Sequence, residues 1–230
     1  MTSYNGTDNL EIMEEAVNYN RYLENLIVAN GPVDGQVLDF GAGIGTFASR
    51  VLERGFDVHC LEVDAAQAAT IERKGMKVVA SVAGIPDEAY HYVYSLNVFE
   101  HIDDDEQALR ELYRVVKLGG SVLIYVPAMQ VLFSSMDRKV GHCRRYSKGS
   151  LVQLAVSAGF TVEKSYYVDS LGFPATLIYK WFGKESGELS RLPLILYDRI
   201  AFPISRLIDR LTGSLFGKNV YVVLVKNPDH

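Results

Sequence analysis

Residues 37–47 read Val-Leu-Asp-Phe-Gly-Ala-Gly-Ile-Gly-Thr-Phe, an apolar run that passes into three alternate glycines and then into a helical pattern. Glycine lets a backbone turn with positive φ and lets a ligand approach the main chain with no Cβ in the way. A helix that starts directly beyond such a turn presents unpaired N–H groups. The rest of the chain continues the pattern. Apolar runs over 36–40, 57–63, 78–82, 92–96, 121–126 and 161–168 predict strands. Periodic apolar positions over 46–54, 65–74, 105–117 and 150–158 predict helices between them. Asp64 is placed to cap the second of these helices, and Gly119-Gly120 and Gly159 to end the last two. This alternation predicts an α/β fold with a largely parallel sheet. A helix over 8–30, ended by Gly31-Pro32, precedes it. Pro193 and Pro203 predict two short helices within 189–211, and 220–225 predicts a last strand.

Composition narrows the function classes. The chain has 230 residues, with 23 Lys and Arg against 28 Asp and Glu, a net charge of −5. A nucleic-acid partner wants a basic face and is not expected. Cys60 and Cys143 cannot build a disulfide framework, which favours a reducing compartment. The first ten residues hold no apolar signal segment, and no uncharged run reaches the roughly 18 residues that span a bilayer. The expectation is a cytoplasmic protein, with peripheral contact at the inner face of the membrane as the alternative. The histidines are scattered and the cysteines far apart in sequence, so no metal is expected.

Three readings of the glycine loop compete. It is a structural turn, a dinucleotide fingerprint, or the loop that meets the methionine part of S-adenosylmethionine. The dinucleotide pattern GxGxxG fits poorly, because Thr46 stands at its sixth position. Glu62 follows Gly45 by seventeen positions at the end of the next strand, where a carboxylate can accept both hydroxyls of a ribose.

With its neighbours, the loop resembles the first motif of class I S-adenosylmethionine-dependent methyltransferases. Leu61-Glu62-Val63-Asp64 resembles that family's ribose-binding strand end. Residues 95–102 (Ser-Leu-Asn-Val-Phe-Glu-His-Ile) resemble the segment beside the cofactor, and residues 110–120 the helix and double glycine before the fifth strand. The resemblance covers about residues 19–226. It implies a doubly wound Rossmann-like sheet of seven strands, mostly parallel with the last one antiparallel. It also implies S-adenosylmethionine as methyl donor and S-adenosylhomocysteine as product. The cofactor residues it implies are Asp39, Phe40, Gly41, Ala42, Gly43, Gly45, Glu62, Val63, Asn97 and Val98. The expected organisation is one domain: an N-terminal helical cap (1–31), a cofactor-binding core (32–170), a helical lid or substrate region (171–218) and a returning strand (219–226). Tyr19, Asn20 and Tyr22 of the cap either contact the cofactor or pack on the sheet edge. Ser81-Val82-Ala83-Gly84 lacks the acid that many relatives place on the adenine amine, with Asp87 nearby. His91 stands where relatives carry Asp.

A narrower likeness lies further on. Asp137, residues 141–146 (Gly-His-Cys-Arg-Arg-Tyr), residues 19–22 and residues 197–200 resemble bacterial methyltransferases associated with glycan and lipid pathways. That suggests a small-molecule or lipid- or glycan-linked acceptor, methylated on oxygen rather than nitrogen. A hydroxyl acceptor needs its proton removed, and His142 and His101 are the candidate bases. The alternatives are a solvated loop residue for His142 and a packing or capping role for His101. Asp137 stands among five basic residues over 137–148. Arg144 and Arg145 are therefore candidates to hold an anionic group of the acceptor, with Tyr146 lining the site, unless the run is only a solvated charged face.

The C-terminal segment interleaves Arg191, Arg199, Arg206 and Arg210 with Leu and Ile. It reads as a lid or ordinary core, as a helix lying on an anionic membrane, or as a dimer contact. The rivals to methyl transfer to oxygen are an N-methyltransferase, a non-catalytic interaction protein that keeps the cofactor fold, and a nicotinamide-dependent oxidoreductase. Oligomeric state is left open.

Overall fold

In the computed structural model, residues 12–32, 34–182 and 191–228 are described. Seven strands form one sheet: β1 (Gln36–Phe40), β2 (Asp57–Leu61), β3 (Lys77–Val79), β4 (Tyr90–Leu96), β5 (Val116–Pro127), β6 (Thr161–Val168) and β7 (Asn219–Val225). Their order is β3-β2-β1-β4-β5-β7-β6. β1 to β5 pair in parallel, and β7 inserts between β5 and β6, antiparallel to both.

The alternation of side chains along each strand separates two cores. Leu38, Val93, Val122 and Ile124 face one side, under the helices that carry Leu109, Leu112 and Leu151. Val37, Tyr92, Tyr94, Leu123 and Tyr125 face the other, under helices carrying Leu23, Ile27, Val51 and Ile71. The first face is covered by α4 (Asp105–Val115) and α6 (Lys148–Ser157), the second by α1 (Val17–Asn30), α2 (Thr46–Glu53) and α3 (Ala65–Arg73). Short α5 (Ser135–Val140) lies between β5 and α6, and α7 (Gly172–Phe182) follows β6. Asp64 caps α3 as expected, accepting from the N–H groups of Ala66 and Gln67.

Three expectations are corrected. The helix expected over 8–30 is interrupted: residues 12–13 are helical, 14–16 are not, and the helix resumes as Val17–Asn30. Ala16 leaves the helical course at φ −78°, ψ 70°, and residues 1–11 lie outside the described residues. Its first turn is capped from far along the chain, because the buried Asp198 carboxylate accepts from the N–H groups of Asn18 (3.0 Å) and Tyr19 (2.8 Å). Next, Gly119-Gly120 does not end α4, which stops at Val115, but lies inside β5. There Gly119 takes φ +75° and a Cβ on Gly120 would come within 2.8 Å of the His91 carbonyl oxygen, so the pair forms a bulge against β4. Finally, Arg191–Leu196 (α8), a π-helical turn at Tyr197–Ala201 and Phe202–Thr212 (α9) make one continuous helical run rather than two separate helices. Pro193 falls in the first turn, where its missing N–H has no helical partner, and Pro203 directly follows the wider π-turn, which accommodates its ring.

That run carries an apolar stripe. Leu192, Leu196, Ile200, Ile204, Leu207 and Leu211 recur every three or four residues, and they are exposed by 48 % (Ile204) to 84 % (Leu211). It is therefore not ordinary core. Among the described residues, no helix is long and apolar enough to cross a membrane.

Candidate active site

The strand order reverses between β1 and β4, and in open α/β sheets ligands bind outside the carboxyl ends of the strands at such a point. The glycine loop follows β1 there. Gly41, Gly43 and Gly45 all take positive φ (82°, 58° and 77°). A Cβ on Gly41 would come within 2.5 Å of a Val98 methyl, and one on Gly45 within 2.8 Å of Met76. A Cβ on Gly43 would meet only the Gln67 amide, at 3.6 Å, so this glycine opens outward. The loop is pinned to the next strand, with the N–H groups of Gly41 and Ala42 donating to the Leu61 carbonyl at 2.9 and 3.0 Å.

Glu62 sits across from the loop. Its carboxylate accepts from the N–H of Gly43 and of Asp64, both at 2.8 Å. A carboxylate has about four acceptor positions, so two remain for a ligand's hydroxyls. Val63, 79 % exposed, places an apolar side chain beside it. Asp39 lies under the loop, where the Tyr94 hydroxyl donates to it at 2.9 Å. Burial pushes its carboxyl up to about 7, outweighing that hydrogen bond. Phe40 packs its ring against Phe99 at 5.9 Å between centroids. Asn97 holds a left-handed φ of +55° at the strand end, with its N–H on the Tyr125 carbonyl at 2.8 Å. The cofactor residues expected from the resemblance thus lie at the carboxyl ends of β1, β2 and β4 around the positive-φ loop, with the Glu62 carboxylate against Gly43.

The N-terminal segment reaches the end of the glycine loop. Thr46 donates its hydroxyl to Glu14 at 3.2 Å. Tyr19 packs edge-on against Tyr125 and Phe202, and burial pushes its hydroxyl up to about 12. Asn20 and Tyr22 do not face the loop. Asn20 donates its amide to the Met13 carbonyl at 2.9 Å, and the Arg206 guanidinium lies 3.9 Å from the Tyr22 ring centre.

Immediately after Asn97 and Val98, a 3₁₀ turn (Phe99–His101) brings Glu100 and His101 against His142. The loop 141–143 is tied down by the Cys143 N–H on the Glu100 carbonyl (2.7 Å) and the His142 N–H on the Asp137 carbonyl (2.9 Å). The two imidazole centroids lie 4.7 Å apart, edge to face. His142 Nδ1 is 2.7 Å from Asp137 Oδ1, and His142 Nε2 is 3.8 Å from Glu100 Oε1. Burial alone would raise the Asp137 carboxyl, but hydrogen bonds from His142 and Arg145 outweigh it and hold the group well below the usual carboxylate range. An ionised carboxylate only accepts, so His142 carries a proton on Nδ1 and turns Nε2 toward Glu100. His101 donates Nδ1–H to the Gly141 carbonyl at 3.3 Å. Burial, then the neighbouring His142, lowers His101 to about 4. Burial pushes the Glu100 carboxyl up to about 8.

The expected anion-binding residues need correction. Arg145 is buried and grips Asp137 through Nε (2.8 Å) and Nη2 (3.0 Å), so it cannot hold an acceptor and instead holds the carboxylate that orients His142. Tyr146 is also buried, with its hydroxyl donating to Asp105 at 2.6 Å. Arg144, half-buried, pairs with Asp105 at 2.8 Å and donates to the Asp103 carbonyl at 2.9 Å. Sequence reading missed Glu100, an acid whose only sequence signal is its place beside His101.

A family profile described as a methyltransferase domain matches residues 13–165. A probable S-adenosylmethionine-dependent methyltransferase of Mycolicibacterium smegmatis is 28 % identical over 143 residues, covering 59 % of this chain and 54 % of that protein. Phosphoethanolamine N-methyltransferase 2 of Caenorhabditis elegans is 33 % identical over 100 residues, covering 38 % of this chain and 23 % of its own. The chain therefore spans about half or less of the length of these two relatives. Among solved structures, an S-adenosylmethionine-dependent methyltransferase of Thermotoga maritima superposes with a TM-score of 0.60 at 20 % identity, over 97 % of this chain and 98 % of that one. Phosphoethanolamine N-methyltransferase 2 of Haemonchus contortus, in complex with S-adenosyl-L-methionine, superposes with a TM-score of 0.62 at 17 % identity, over 90 % and 52 %. These superpositions establish the shared fold.

Proposed function

Because this chain belongs to the methyltransferase-domain family, we propose that it transfers a methyl group from S-adenosylmethionine to a hydroxyl of a small-molecule or lipid-linked acceptor. The sulfonium of the bound donor supplies an already activated methyl group. The chain's residues do the rest. Gly41, Ala42, Gly43 and Gly45 leave room for the donor, with Phe40 beneath them. Glu62 accepts the ribose hydroxyls at its two open positions, and Val63 lies against the base. Asn97 and Val98 wall the methionine side, and Asp39 faces its ammonium group. Such positioning is worth roughly 7–11 kcal/mol of the barrier to an in-line displacement.

One observation carries the choice of oxygen: the buried Asp137–His142 pair, with His101 beside it, one turn past Val98. An amine acceptor needs only to arrive neutral. A hydroxyl must lose a proton, and an imidazole oriented by a carboxylate, with a second imidazole packed against it, suits that task. The exposed stripe from Leu192 to Leu211, next to Arg199 and Arg210, supports an acceptor that carries a lipid.

Calorimetric titration with S-adenosylhomocysteine, with NADH as control, tests the first half. Micromolar binding of the homocysteine product alone is expected. Binding of NADH instead points to the oxidoreductase reading, and binding of neither to a non-catalytic protein. A screen of hydroxyl and amine acceptors with labelled donor tests the second half, and label appearing only on amines defeats it.

A further inference from the structure

The cluster beyond Val98 holds more than a proton acceptor requires. One ligand atom each from Glu100, His101 and His142 lie within 4.8 Å of one another. We propose that these three side chains bind one divalent cation of the Mn(II) or Zn(II) type. The proposal runs against the expectation of no metal, which rested on scattered histidines and distant cysteines; the tie between Cys143 N–H and the Glu100 carbonyl brings residues 100, 101 and 142 together.

Three features of the site point the same way. His142 presents Nε2 toward Glu100 at 3.8 Å, because its Nδ1 is fixed by the Asp137 carboxylate behind it, and the His101 ring is held in turn by the Gly141 carbonyl at its Nδ1. A carboxylate or carbonyl behind the imidazole is how metal-bound histidines are oriented and made more basic. The second feature is Glu100. Its side chain is fully buried, and neither carboxylate oxygen has a hydrogen-bond partner among the described residues. An acceptor buried without a donor is costly, and a cation between it and the imidazoles removes that cost. The third is the donor set. Two imidazoles and one carboxylate suit borderline first-row ions rather than the all-oxygen shells of calcium or magnesium. Bonds of about 2.1 Å set tetrahedral ligands about 3.4 Å apart, so the site closes by the order of 1 Å on binding. His142 remains partly exposed, which leaves an entry path.

The role of the ion rests on the proposed O-methyl transfer. A cation held there would polarise a bound hydroxyl and lower its pKa, so that its proton passes to solvent water, not to the ligand His142, as the oxygen takes the methyl group and the sulfonium leaves as the neutral thioether. The existence of the site does not depend on that reading.

The test uses the full chain, stripped with chelator and dialysed, and titrated with Mn(II) while free Mn(II) is followed by electron paramagnetic resonance. One equivalent should bind and be displaced by Zn(II). Affinity should fall more than tenfold in Glu100→Gln and His142→Ala, about 10- to 100-fold in Asp137→Asn, and not at all in His59→Ala. Titration of the same samples with S-adenosylhomocysteine reports separately on the fold and on the methyltransferase reading. Failure of that titration with Mn(II) uptake intact overturns the reading of function and leaves the site. Uptake of less than one equivalent by the unmodified chain, or equal uptake by all variants, overturns the site. If the variants misfold, nitrogen chemical shifts of the His101 and His142 rings decide. Zn(II) must move one ring nitrogen of each in the unmodified chain, Nε2 in His142, and unmoved shifts overturn the proposal.

Discussion

His142 Nδ1 lies 2.7 Å from Asp137 Oδ1, and the same oxygen lies 2.8 Å from the buried Arg145 Nε. One carboxylate therefore joins the imidazole to a guanidinium that has no contact with solvent to speak of. Removing one partner of a buried ion pair leaves the other charge uncompensated, which costs about 3–5 kcal/mol. Arg145→Ala should lower stability by that order in urea unfolding and should change His142-dependent activity through position. An Arg145→Ala variant with unchanged stability and only a raised KM would return Arg145 to acceptor binding.

Glu62 accepts from the Gly43 and Asp64 N–H groups and has two positions left for a ribose. Hydrogen bonds to a charged acceptor contribute about 1.5–3 kcal/mol. Glu62→Ala is expected to weaken S-adenosylhomocysteine by about 10- to 100-fold in calorimetry. Unchanged affinity would place the ribose elsewhere.

Gly41 combines φ +82° with a Val98 methyl that a Cβ would meet at 2.5 Å. Gly41→Ala should abolish detectable binding of S-adenosylhomocysteine. Pairing it with Val98→Ala removes the collision but not the left-handed strain of about 1–2 kcal/mol. The double variant should recover binding in part. Full recovery, or none, would show that only one of the two constraints operates.

Asp39 is raised in the folded chain from the usual carboxylate value to about 7, chiefly by burial. The folded state therefore holds this proton more tightly than the unfolded state does. Its contribution to stability is complete below about pH 4 and is lost as pH rises to about 7. Asp39→Asn keeps an oxygen for the Tyr94 hydroxyl and has no such loss. The melting temperature of Asp39→Asn minus that of the unmodified chain should rise between pH 5 and pH 7 and level off above. A flat difference would show that Asp39 ionises normally.

The stripe Leu196, Ile200, Leu207 and Leu211 is exposed beside Arg199 and Arg210. Flotation with anionic liposomes should carry the chain upward at low salt, and replacing these four residues by Ser should abolish it. If the unmodified chain stays at the bottom of the gradient, the lipid-linked acceptor loses its support.

Local chemistry made much of this protein legible in advance. Strand and helix periodicity, the capping Asp64 and the three alternate glycines act over a few residues, so the α/β alternation and the loop–Glu62 cradle could be read from order alone. The errors lie where a distant group prevails over a local signal. Asp198 reaches back some 180 positions to cap the helix at Val17. The Lys226 carbonyl receives Gly119 N–H, which keeps the double glycine in a strand. A π-turn lets one helix run through Pro203.

The chain's order of residues settled which groups are available: a glycine loop, a spaced acid, two histidines and an arginine pair. Tertiary structure decided what they do. Arg145 looked outward as part of a basic run, but packing turned it onto Asp137, because a buried carboxylate must be compensated where it lies. Glu100, His101 and His142 became one cluster only when the loop after α5 closed on the turn after β4. Burial then withheld from Glu100 the water that would have satisfied it, and no pattern of spacing along the chain encodes that loss.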